Sequence, residues 1–246
     1  MRTRITMLFL ISSVALLPGS GCQQQSGQTT GGAATRVEKQ DLVNKRNTVM
    51  EDAQKTREAR TQELKGMDVT RLAQELANES QTGIEPFNSL AFAEMVRRGA
   101  DAAGTLASQI TKPDRSSFFG LLALKKIGPT QYKQLKPDLR VSILIDALKN
   151  SKYFNTWGMP HLSWTDNAKA IIEEGKAAEG PLTALLEDKR DAPSWGYEQY
   201  TEYQRYKYRV CDYAWALLNE LRGQKTQIPE DPASRDRLEA NAAKPS

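Results

Sequence analysis

The chain has two cysteines and one histidine in 246 residues, and these scarcities exclude much chemistry. With His161 as the only imidazole, no metal centre built on two histidines can form, and at most one histidine-based nucleophile relay remains. His161 lies in Met159-Pro-His-Leu-Ser-Trp164 and reads as an ordinary loop histidine. No Gly-x-Ser-x-Gly, Ser-x-x-Lys, Walker or dinucleotide glycine pattern occurs, so no cofactor is expected. Adjacent carboxylates such as Glu51-Asp52 and Glu173-Glu174 point apart on a helix and read as solvated faces. No stretch alternates apolar and polar residues between turn dipeptides, so no sheet is predicted.

An excess of one charge sign is also missing. Arg2 and Arg4 belong to an acid-free leader; without them the 34 Lys and Arg become 32, against 30 Asp and Glu. That balance leaves no electrostatic footprint for nucleic acid, which is set aside as a partner. Long apolar runs are absent too. The longest, at positions 5–17, is too short for a permanent membrane span.

What is present begins with that run. A basic start (Arg2, Arg4), the apolar stretch, small residues and Cys22 together make signal-peptide anatomy over 1–21. Leu17-Pro-Gly-Ser-Gly-Cys22 resembles the lipobox of bacterial lipoproteins, although Gly19 stands where that family prefers leucine. The resemblance implies that Cys22 is lipidated and becomes the first mature residue. Several acyl chains then anchor the protein, since each buried methylene contributes about 0.8 kcal/mol. Gln23, in place of aspartate, points to the outer membrane, facing the periplasm. The alternative is an ordinary cleaved signal with an incidental Cys22. If Cys22 is modified, Cys211 has no partner and is expected as a buried structural thiol.

Residues 22–35 are Gln-, Ser-, Gly- and Thr-rich and read as a flexible tether. Residues 36–66 lack proline and, before Gly66, glycine, and they are dense in charge. A helix follows, mostly solvated and stalk-like. Its heptad through Leu42 and Val49 meets Thr56 and Glu63, which excludes a coiled coil. From Asp68 the spacing turns amphipathic, with helices closed at Gly99 and Gly128 and opened at Asp114 and Pro137. Residues 224–246, with Pro229, Pro232 and Pro245, read as a disordered tail around a short charged segment with helical potential.

One stretch recurs. Arg98-Gly-Ala-Asp-Ala-Ala-Gly-Thr-Leu-Ala-Ser-Gln-Ile110 overlays Glu174-Gly-Lys-Ala-Ala-Glu-Gly-Pro-Leu-Thr-Ala-Leu-Leu186 at a constant offset, matching Gly99 to Gly175, Ala102 to Ala178, Gly104 to Gly180 and Leu106 to Leu182. Glycine leaves the first helix, small residues admit close approach, and the leucines face a neighbour. These segments, with the helices after them, resemble HEAT-type repeats over 67–223. The resemblance implies an all-α stack of helical hairpins that binds proteins and carries no catalytic residues. It is interrupted at 153–165 and 192–207.

Tryptophan and tyrosine are scarce in the first part of the chain and crowded where the repeat breaks. All four tryptophans and seven of the eight tyrosines follow residue 150. Tyr203, Tyr206, Val210, Tyr213, Leu217 and Leu221 read as one core-facing helical stripe. Trp157, Trp195, Tyr197, Tyr200 and Tyr208 are the candidates for exposure and binding. The expectation is a lipid-anchored, non-enzymatic scaffold for another envelope protein. The alternative is a glycan- or peptidoglycan-binding module on the same aromatics, with an enzyme a distant third.

Overall fold

The computed structural model describes residues 34–159 and 161–243. The signal peptide, Cys22 and the tether as far as residue 33 lie outside the described residues. The chain divides into two units at the Ala53–Gln54 junction. Helix α1 (Ala34–Lys65) runs through it. In the first unit the apolar side chains Leu42, Val43, Val49 and Met50 are all exposed, at 49–66%.

The second unit is helical, and among the described residues it has no strand, only an isolated bridge between Asp191 and Arg209. Asp68 accepts from the Arg71 backbone N–H at 2.9 Å and opens α2 (Val69–Ser80). Ser89 does the same for α3 (Leu90–Arg98), and Asp114 for α5 (Arg115–Ile127). Each cap satisfies donors that a helix start leaves unpaired. Between them lies α4 (Ala103–Gln109). Prolines at the first helical position open α6 (Pro129–Gln134) and α7 (Pro137–Lys149). Then come α8 (Asp166–Glu173), α9 (Lys176–Ala184), α10 (Tyr197–Tyr206), α11 (Val210–Leu221) and α12 (Pro232–Ala242).

Two helices are buried on every side over most of their length. Every residue from Ser117 to Leu124 of α5 is buried, as is every residue from Val210 to Asn219 of α11. Around α5 pack α2, α3, α4, α6, α7 and α8; around α11 pack α8, α9 and α12. One apolar cluster joins them.

The sequence repeat is also a backbone repeat. Gly99 (φ 66, ψ −147) and Gly175 (φ 58, ψ −135) share a conformation that L-residues avoid. Ala102, Ala178, Leu106 and Leu182 are sealed in the core. Gly104 and Gly180 differ from expectation: an added Cβ at either would meet nothing within 4 Å beyond its chain neighbours and its own helix backbone. The close approach is made by Gly128, where a Cβ would stand 2.5 Å from that of Ala103.

Three further expectations are corrected. Glu174 is no solvated carboxylate: only 4% of its side chain is exposed, and Arg140 grips both its oxygens at 2.8 and 2.9 Å. It occupies the position of Arg98 in the other copy, which donates to the carbonyls of Lys65 and Met67. In both copies a charged residue before the glycine ties the corner to the preceding chain. The tyrosine stripe is two helices, because Lys207 adopts φ 50, ψ 56 and separates α10 from α11. Finally, the stretch expected as a disordered tail includes α12, whose Arg235 has no exposed surface. The long Arg235 side chain enters the core because partners there neutralise it, which hydrophobic spacing does not register.

Candidate functional site

The two interruptions of the repeat meet. The Phe154 N–H donates to the Pro193 carbonyl at 2.9 Å. Asn155 presents its amide to the Trp195 backbone like a strand neighbour: its Nδ2 donates to Trp195 O at 2.8 Å, and its Oδ1 accepts from Trp195 N at 3.0 Å. The Ala192 N–H donates to the Tyr208 carbonyl at 2.9 Å, and the Val210 N–H to that of Arg190 at 3.0 Å, closing the second insertion at its base. Both chain ends of the insertion and its connection to 153–165 are thereby fixed.

On this base stand three exposed aromatics: Trp195 (64%), Tyr197 (87%) and Tyr200 (54%). Tyr153 lies beside Trp195 with ring centroids 6.4 Å apart, and Tyr203 beside Tyr200 at the same separation. Lys152 sits over the Tyr153 ring and Lys207 over the Tyr203 ring, at 5.2 and 5.4 Å. Helix α10, which carries Tyr197 and Tyr200, has no buried residue. Its Tyr203 and Tyr206 lean on the core, and its Glu202 lies 3.4 Å from His161, whose side chain is exposed.

Two candidates of the five belong elsewhere. Trp157 is 1% exposed, stacked on Phe118 at 5.8 Å, with its indole N–H donating to Ser151 Oγ at 2.6 Å. Tyr208 is 2% exposed, stacked on Tyr206 at 5.1 Å and edge-on to Tyr213. Burial pushes its phenol well above the ordinary range. Both look exposed in sequence because they fall outside helical periodicity, but the insertions fold back and fill the core with them. Sequence reasoning missed Phe87. It is 67% exposed and forms one lip of a 450 Å³ groove lined also by Phe92, Leu122 and Thr165. Its only signal is a proline beside it, which opens the short 3-10 turn Pro86–Asn88.

One cluster of ionisable groups lies under α12: Cys211, Asp212 and Glu239, all buried and close enough together to share an ion. Lys189, Arg209 and Arg235 reach the same carboxylates, so a divalent ion would join three cations already there. The arrangement fits an internal ion network better than a metal centre. Burial first, with Asp212 and Glu239 nearby, pushes the Cys211 thiol up to about 12. A thiol so protonated is a poor nucleophile.

No family description, curated protein or solved structure matches this chain. Among the described residues, no helix is long and apolar enough to cross a membrane.

Proposed function

We propose that this protein is a lipid-anchored scaffold of the bacterial cell envelope, attached through Cys22, that takes a partner protein on the surface made by Trp195, Tyr197 and Tyr200. The observation that carries the binding reading is the Asn155 clamp. Three large aromatics are exposed on a backbone that is already ordered, so little conformational freedom is lost when a partner covers them. Tyrosine and tryptophan in such a setting are typical interface anchors.

The remaining parts of the proposal rest on sequence. The lipobox-like run supports lipidation and a periplasm-facing place in the outer membrane. The HEAT resemblance supports stacked hairpins, and the packing of α2 against α3, α4 against α5 and α11 against α12 is compatible with it. The chain is proposed to act by binding and not by catalysis. The exposed tilted rings would also suit a glycan, which makes cell-wall binding the competing outcome.

The test is crosslinking in intact envelopes from a photoreactive residue at position 197, beside a pulldown on purified cell wall. A discrete protein adduct that disappears with Trp195→Ala and Tyr200→Ala supports the scaffold. Retention on cell wall with no protein adduct replaces it with the glycan reading.

A further inference from the structure

Helix α10 lacks the usual means of staying in place. It has no buried residue, the residue before it is Gly196 and so offers no side-chain cap, and the residue after it, Lys207, lies in the left-handed region. Its last carbonyls are instead taken by a residue from the far end of the chain. Arg235 Nη2 donates to Tyr206 O at 2.8 Å and to Lys207 O at 3.3 Å. Helix C-termini concentrate unpaired carbonyls and partial negative charge, so a guanidinium suits that position. The same side chain donates through Nη1 to Pro229 O and Glu230 O at 2.9 and 2.7 Å, and through Nε to Asp212 Oδ1 at 2.8 Å. It lies beneath the Tyr208 ring at 5.9 Å. One fully buried cation therefore binds α10, α11 and the approach to α12 together.

The neighbouring residues of α12 grip the other side of the insertion. Asp236 and Glu239 stand one and four positions on, near the same face of the helix. Lys189, just before the insertion, reaches Asp236 at 2.8 Å and Glu239 at 2.5 Å. Arg209, just after it, reaches Asp236 at 3.0 Å. Three successive contacts of α12 thus fall at the beginning and at the end of the segment that presents Trp195, Tyr197 and Tyr200. On the surface, Arg205 of α10 pairs with Glu230 just ahead of α12, adding to the grip.

We infer that α12 is a clamp whose docking positions the aromatic surface, with Arg235 as its positioning residue: when α12 lifts, α10 loses its end cap and its order, while the core around α5 persists. The inference rests on reading that surface as the binding site, but it concerns the state of α10 before any partner arrives. Docking is electrostatic and local, whereas α5 is held by apolar packing against six other helices. Removal of α12 contacts is therefore felt first by the element with least packing of its own. A partner that prefers ordered α10 is favoured by docked α12. One that engages α12 itself releases the aromatics.

Amide hydrogen exchange on the full mature chain tests this without any partner. In Arg235→Met, amides of 197–207 are expected to lose at least tenfold protection and to exchange by local opening, while those of α5 still exchange only by global unfolding and lose no more than the fall in unfolding free energy allows. Unchanged protection in 197–207, or exchange there at the same opening free energy as in α5, overturns the clamp. Should Arg235→Met not fold, Asp236→Ala removes the outer grip on Lys189 and Arg209 and is expected to shift 197–207 in the same direction by a smaller factor; no shift there overturns it equally. Because exchange is read on the free chain, failure of the clamp leaves the crosslinking result standing, and absence of a partner leaves the exchange result standing.

Discussion

Arg235 Nε lies 2.8 Å from Asp212 Oδ1, and neither residue has any exposed surface. A buried ion pair is weak evidence of net stabilisation, but removing one member leaves the other charge stranded. Here Arg209 still serves Asp212 through its backbone N–H at 2.8 Å and Nη2 at 3.1 Å. Arg235→Met should therefore cost at the lower end of the usual range, about 3 kcal/mol. Urea unfolding of the variant checks this, and a cost below about 1 kcal/mol would show that Arg209 alone satisfies Asp212.

The glycines of the repeat should not respond alike. At Gly99 and Gly175 a Cβ finds open space, so the whole cost of alanine lies in the backbone, about 1–3 kcal/mol each. At Gly104, inside α4 and unobstructed, alanine should stabilise by about 0.5–1 kcal/mol through better helix propensity, whereas at Gly180 a new Cβ meets the ring of the following Pro181 and the gain is offset. Thermal melts of the four single variants decide it. Destabilisation at Gly104 would mean that a neighbour packs closer there than the structure shows.

Hydrogen bonding from Arg97, joined by Arg98 and outweighing burial, holds the Glu94 carboxyl down at about 2 against an ordinary 4.5. A depressed acid pKa contributes stability that is present above the unfolded value and lost as pH falls towards the folded one. Unfolding free energy should therefore drop between pH 4.5 and about 2. Glu94→Gln, already lacking that contribution, should show a shallower decline. Equal slopes for parent and variant would contradict the assignment.

Cys211 should ignore thiol reagents in the native state, since burial keeps it protonated up to about 12. In a Cys22→Ser chain, which has no other thiol, labelling at pH 8 should wait for denaturant. Rapid native labelling would place Cys211 on an accessible path.

The helix boundaries were legible because their signals are local. Asp68, Asp114, Pro137 and Gly99 each act within one turn of themselves, through a cap, a fixed φ or a glycine-only conformation. The 76-residue repeat was legible for the same reason, its corner glycines fixing equal backbones. What the sequence hid is long-range. Trp157 and Tyr208 lie in irregular chain and look free until the insertions fold inward against Phe118 and Tyr213. Arg235 appears as one more charge in a polar segment, because its four carbonyl acceptors and its carboxylate come from three other places in the chain. Of the candidate surface, Trp195, Tyr197 and Tyr200 were legible as aromatics outside the apolar stripe, but their joining to 153–165 through Asn155 was not.

The most direct test of the proposed role is crosslinking from position 197 in intact envelopes, run beside Trp195→Ala and Tyr200→Ala. The expected result is one discrete protein adduct that both substitutions abolish while the protein stays membrane-bound and folded. No adduct, or an adduct indifferent to both substitutions, would contradict a partner-binding surface at Trp195, Tyr197 and Tyr200.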